Sequence, residues 1–205
     1  MNALVINLKR RKDRWNKFIS KCPDFFSITK VNAIDALNLN LDSISNSSLL
    51  INKPWKKSKA EIACLLSHRK AWGIAKTLNE PTCIFEDDAY PYDDFSIKEL
   101  PKKFDVIYLG FRADWEQKRL TQYFNSEDKI INFPDHFDIK NRRMAPFAFS
   151  YILSSKAAAY LCNSFDNQSF QIPPADHYID RVLENKFLYT PLKFYMCSKL
   201  SSDIQ

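Results

Sequence analysis

The sequence predicts one α/β domain spanning residues 1–205, built as a three-layer sandwich, and three observations predict it. The run Ala3 to Leu8 is continuously aliphatic with little alternation, the pattern of a strand buried on both faces. Strand-like and helix-like segments then alternate along the chain, as they do when helices cover a sheet. Finally, the β-type run Cys83-Ile84-Phe85 stops abruptly on Glu86-Asp87-Asp88. In α/β proteins the carboxyl ends of parallel strands open into the ligand crevice.

The elements follow in order. After the first strand, the basic turn Lys9 to Arg14 leads into a helix in which Trp15, Phe18, Ile19 and Cys22 recur at helical spacing. Phe25 to Ile34 supplies a second strand, closed by Asp35, which completes a βαβ unit. Leu37 to Pro54, rich in Asn and Ser, reads as a long loop or small excursion. Ser58-Lys59-Ala60-Glu61 matches a capping box and opens a helix to about Leu78, with Ile62, Leu65, Leu66 and Trp72 inward. The Cys83 to Phe85 strand follows, then another at Phe104 to Leu109. Residues 111–143 are charged and irregular, with weak helical signal from Asp114 to Phe124, and read as acceptor-side loops. Phe147 to Leu153 is a strand, Ser155 to Cys162 a short helix, and a further helix runs from Pro173-Pro174 through Glu184. Phe187 to Met196 closes the chain as a strand.

Composition narrows the function classes. A chain of 205 residues, 45% hydrophobic and 14% aromatic, can bury one substantial core and is not a disordered tail. No stretch approaches the roughly 18 to 20 apolar residues of a membrane span, and the first residues lack the basic-then-apolar order of a secretory signal, so a cytoplasmic protein is expected. The five cysteines are scattered and form no CxxC pair, which argues against a disulfide framework or a zinc ribbon. A net charge of +6 and a pI near 9.0 suit an anionic ligand or surface. With only two glycines, Gly73 and Gly110, a Gly-rich phosphate cradle is excluded. Phosphate must be held by side chains, a metal or helix N-termini.

Four groups can carry chemistry. Three adjacent acids at a strand end must be splayed into water or neutralised, and oxygen ligands suit Mg²⁺ or Mn²⁺. Asp176-His177, at the start of a helix, can add a ligand from a distant segment. Ser67-His68 lies mid-helix, on a stripe shared with Glu61 and Trp72. Arginines of the run Lys9 to Arg14 can pair with phosphates; without interleaved aromatics this run is a weak nucleic-acid signal. Each group also has a plain structural reading: a solvated acidic turn, a helix N-terminal acid, a hydrogen-bonded core histidine and a solvated basic turn.

In combination and order, these segments resemble glycosyltransferase family 25, the bacterial lipopolysaccharide galactosyl- and glucosyltransferases related to collagen galactosyltransferases. The residues that carry the resemblance are Val5-Ile6-Asn7-Leu8 with Lys9 to Arg14, Val31-Asn32-Ala33-Ile34-Asp35, Glu61 to His68 with Ala71-Trp72, and Ile84 to Ala89. Later blocks are Tyr108-Leu109-Gly110, Ser150 to Ser154 and Pro174 to Tyr178. The resemblance implies a GT-A-like, Rossmann-like fold and an inverting, metal-dependent transfer of a hexose, galactose or glucose, from a UDP-sugar donor. It implies Mn²⁺ or Mg²⁺ on Asp88, with Glu86, Asp176 and His177 as further metal candidates. Asn7, Leu8, Arg11, Arg14, Asp35, Ser67, His68, Glu86 and Asp87 border the nucleotide-sugar, and Asp176 is the alternative catalytic base. The expected acceptor is an oligosaccharide or glycolipid such as lipooligosaccharide, reached by peripheral contact with an anionic membrane, and no nucleic-acid partner is expected. The rival readings are a collagen-like protein acceptor, a non-catalytic binding protein on a degenerate transferase domain, and a nucleic-acid-binding protein or metal-dependent nuclease suggested by the pI and the clustered acids.

Overall fold

The computed structural model describes residues 1–41, 58–92, 96–97, 99–110, 128–133, 148–167, 172–191 and 193–196. In chain order these form β1 (Asn2–Asn7), α1 (Lys12–Lys21), β2 (Ser27–Asn32), a 3-10 turn (Ala36–Asn38), α2 (Lys59–Ala75), β3 (Thr82–Glu86), β4 (Ala89–Pro91), β5 (Val106–Tyr108), β6 (Lys129–Asn132), β7 (Ser150–Leu153), α3 (Ser155–Asp166), α4 (Ala175–Val182), β8 (Lys186–Thr190) and β9 (Phe194–Met196).

Among the described residues the main sheet has seven strands in the order β2-β1-β3-β7-β5-β8-β6, and β4 and β9 form a separate two-stranded sheet. The aliphatic β1 lies between two parallel neighbours, β2 and β3. Beyond β3 the sheet is mixed, since β7 runs antiparallel to both β3 and β5 while β8 is parallel to β5. The carboxyl ends of β2, β1 and β3 therefore share one edge, with Asn7 opposite Asn32 and Ile6 opposite Glu86.

The period of two along a strand divides the core. Leu4, Ile6, Ile84, Tyr108, Tyr151 and Leu188 pack with Leu65 and Trp72 of α2, Leu161 of α3 and Tyr178 of α4. Ala3, Val5, Cys83, Phe85, Ile107, Ile152 and Tyr189 pack instead with Phe18 of α1, Phe26 and Phe194. The result is the expected three-layer α/β arrangement, with α2, α3 and α4 on one side and α1 with the small sheet on the other.

Local chemistry explains the element ends. Ser58 Oγ accepts from Glu61 N while Glu61 accepts from Ser58 N, so the predicted capping box forms and spends the Glu61 carboxylate at the helix start. α2 ends at Ala75 rather than near Leu78, because Thr77 N and Leu78 N turn to the carbonyls of Ile74 and Ala75 and Asn79 adopts a φ of 56°. Ser154 caps α3, which runs on to Asp166 and so buries Phe165. The predicted strand Phe187 to Met196 is two strands in two sheets. Pro191, with no N–H to donate, stands at the break. β6 lies within the stretch predicted to be loops; it is a four-residue edge strand whose two isoleucines are too brief a signal to read. The three-residue β4 was equally illegible. The weak helical signal from Asp114 to Phe124 and most of the Leu37 to Pro54 excursion lie outside the described residues. Gly110 is required by close approach, since a Cβ there would collide with the Phe194 carbonyl oxygen and Ser150 Oγ.

Candidate functional site

The alternation that divides the core also separates the three acids. Glu86, two residues beyond Ile84, turns to the α2 side, and Asp87, two beyond Phe85, turns to the α1 side. The register that sets Ile6 against Glu86 puts Asn7 beside Asp87. Asn7 Nδ2 accordingly donates to Asp87 Oδ2 at 2.6 Å and to Arg11 O at 3.0 Å. Arg14, projected inward one turn into α1, donates from Nη1 to Asp87 Oδ1 at 2.8 Å and from Nη2 to Asp88 Oδ2 at 3.2 Å. This pairing is buried, with side-chain exposures of 8% for Arg14 and 6% for Asp87.

On the α2 side a chain of hydrogen bonds leads from the core to the strand end. Trp72 Nε1 donates to Tyr151 Oη at 2.9 Å, Tyr151 Oη lies 3.0 Å from His68 Nδ1, and His68 Nε2 lies 3.1 Å from Glu86 Oε1. The donors assign its polarity. Indole N–H can only donate and a carboxylate can only accept, so Tyr151 accepts from Trp72 and His68 Nε2–H donates to Glu86, while the Tyr151 hydroxyl can serve Nδ1 as donor or, through its second lone pair, as acceptor. Cys64, one turn before His68, places Sγ 3.8 Å from Glu86 Oε1.

Asp88 lies between these arrangements. Among the described residues its Oδ1 is buried without a hydrogen-bond partner, as is Asn7 Oδ1. Burial first, then the charges of Glu86 and Asp87, push the Asp88 carboxyl up to about 7 despite Arg14. Burial also raises Asp87 against the opposing effect of Arg14, and raises Cys64, where Glu86 and Asp176 add to it. The site thus holds more negative charge than its guanidinium offsets.

Several of these residues face an open cleft. Of the predicted site residues, Leu8, Arg14, Asp35, Ser67, His68, Glu86, Asp87 and Asp88 line it. Asn7 acts from behind as a tether for Asp87. Arg11 pairs with Asp13 at 2.8 Å and is not on the cleft wall. Asp35 caps the 3-10 turn through Leu37 N and pairs with Arg10, whose guanidinium lowers its pKa. The Ser67 hydroxyl is engaged locally, accepting from Ile34 N at 2.8 Å and donating to Ala63 O at 2.6 Å, so it pins the loop after β2 to α2. Asp176 and His177 open α4, outside the described lining. Asp176 nevertheless feels Glu86, which adds to the burial that raises its pKa, while His177 lowers it.

Two elements of this site were not anticipated from sequence. Cys64 shares a helical stripe with His68, a spacing that was legible but unused; Tyr151 arrives from β7 and carries no local signal. Glu61, on the stripe of His68, spends its carboxylate on the predicted capping box of its own helix.

A structural comparison aligns the chain with the galactosyltransferase LgtC, solved in complex with donor and acceptor sugar analogs. The TM-score is 0.42 at 7% identity, covering 92% of this chain and 73% of that one. No curated protein matches the sequence. The sequence pattern of glycosyltransferase family 25, described as an LPS biosynthesis protein, matches residues 1–180. With that match spanning β1 through most of α4, over the buried strands, the capped histidine helix and the acidic strand end alike, the chain belongs to glycosyltransferase family 25.

Proposed function

We propose that this glycosyltransferase moves a hexose, galactose or glucose, from a UDP-sugar to a saccharide acceptor with inversion, using Mn²⁺ or Mg²⁺ at Asp88. The observation that carries the reading is the buried Asp88 carboxylate on the cleft wall, with one oxygen unpartnered among the described residues and its pKa pushed up to about 7. Such a group lacks a cation, and carboxylate oxygen suits a hard divalent ion. The residues present therefore fit the metal that the family implies. When bound, it would supply charge stabilisation for a departing diphosphate.

The chain's own residues prepare that chemistry. Arg14 and Asn7 fix Asp87, and through Arg14 they also hold Asp88 Oδ2, so that the strand end is rigid before ligand arrives. Arg10, Asp35 and Leu8 border the nucleotide side of the cleft, and Glu86 faces the ribose or a water of the metal. Asp176, with its raised pKa, is the candidate base for the acceptor hydroxyl, or a further metal ligand together with His177. The acceptor is lipooligosaccharide or a related glycolipid, and the basic surface supports peripheral contact with an anionic membrane at its cytoplasmic face. No helix among the described residues is long and apolar enough to cross a membrane.

The test is thermal melting with UDP and Mn²⁺ separately and together, followed by a screen of UDP-sugars for metal-dependent hydrolysis. A specific ligand raises the melting temperature by mass action. No shift with the pair, and no hydrolysis of any UDP-sugar, would overturn the reading.

A further inference from the structure

We propose that Cys64, His68 and Glu86 form a site for one thiophilic divalent cation, zinc by preference, on the α2 side of the strand end. Their ligand atoms all lie within 4.8 Å of one another. The separations of 3.1 Å from Nε2 to Oε1 and 3.8 Å from Sγ to Oε1 are close to the about 3.3–3.7 Å that ligands keep around a tetrahedral zinc at its usual bond lengths. Cys64 and His68, four residues apart on α2, project from one helical face, and Glu86 meets them from β3.

The donor chemistry differs from that of Asp88. Thiolate and imidazole select soft or borderline ions, whereas a carboxylate-only set selects Mg²⁺ or Mn²⁺. Thiolate and carboxylate together balance the two charges of the ion, so the buried site becomes neutral. Binding releases the thiol proton to solvent and moves the imidazole proton from Nε2 to Nδ1, where Tyr151 Oη accepts it. Tyr151 is in turn held by Trp72, which orients the ring as outer partners do at metal sites. All three ligands line the cleft, so the fourth position opens to solvent or an anionic ligand. Glu86 is common to this site and the donor side, and zinc here draws it away from the donor.

The proposal does not rest on the transferase reading, because its test involves no sugar. The metal-stripped full-length chain is titrated with Co²⁺ as a spectroscopic stand-in, then with Zn²⁺. The expected result is a thiolate-to-cobalt charge-transfer band that saturates at a single equivalent and is displaced by Zn²⁺. Cys64→Ser should abolish the band, Cys22→Ser should retain it, and Tyr151→Phe should keep it while weakening affinity about 10–100-fold. No band, or one that survives Cys64→Ser, overturns the site. Zinc-edge X-ray absorption of the unmodified protein gives a second readout that needs no variant: one sulfur in the inner shell supports the site, and a shell of nitrogen and oxygen alone overturns it.

Discussion

The two sides of the β3 end solve the same electrostatic problem by different means. On the α1 side, Asp87 is neutralised by a buried guanidinium and an amide, all committed to one another. On the α2 side, Glu86 is met by a histidine that is itself positioned by Tyr151 and Trp72, a chain of hydrogen bonds with a thiol beside it. The first arrangement is a brace, since removing either Arg14 or Asp87 strands a buried charge. The second is adjustable, because its hydrogen bonds can reverse polarity and its ligands can exchange protons for an ion. Asp88 belongs to neither fully, and that is why it is the residue with an oxygen to spare.

The largest expected effect tests that third position. Asp88→Asn should abolish metal-dependent donor turnover, a loss well beyond about 100-fold if the carboxylate anchors the metal. It should leave the melting temperature of the metal-free protein equal or higher, since a poorly compensated buried carboxylate is gone. Turnover near the normal rate would remove Asp88 from the chemistry.

Next is the brace. Arg14→Met should destabilise the fold by about 3–5 kcal/mol in denaturant unfolding, because Asp87 would be left charged and buried. The double variant Arg14→Met with Asp87→Leu should recover most of the loss. A single variant as stable as the parent would show that water reaches Asp87.

The adjustable side should respond less. Tyr151→Phe leaves Trp72 Nε1 and His68 Nδ1 without their shared partner and should cost about 1–3 kcal/mol, with the far-ultraviolet spectrum unchanged. A cost equal to that of Arg14→Met would erase the distinction between the two sides.

The third position also predicts a dependence on pH. Asp88 holds its proton more tightly when folded, with its carboxyl raised from 3.8 to about 7. The folded state then binds more protons than the unfolded state between those values, so its contribution to stability is full below the lower one and is lost as pH rises through the upper. Melting temperature measured without metal should fall across that window, and saturating Mn²⁺ should flatten the fall. A metal-free slope of the opposite sign would mean that other groups dominate.

Much of the frame was legible in local chemistry. The aliphatic Ala3 to Leu8 could only be a buried strand, Ser58 and Glu61 announced their helix, and the β-run ending in three acids marked the site edge. The division of Phe187 to Met196 was hidden because both halves are strand-like and only Pro191 hints at the break. The tether from Asn7 to Asp87 and the pin from the Ser67 hydroxyl to the loop after β2 were hidden because each partner lies far away in sequence. By itself, then, the sequence determined most of the elements, the acidic strand end and the family, all of which follow from order and period along the chain. Only the tertiary structure decided which acid faces which helix, that Tyr151 stands behind His68, and that Cys64 joins Glu86. Those pairings span 18 to 83 residues and depend on strand register and helix rotation, which no local pattern encodes.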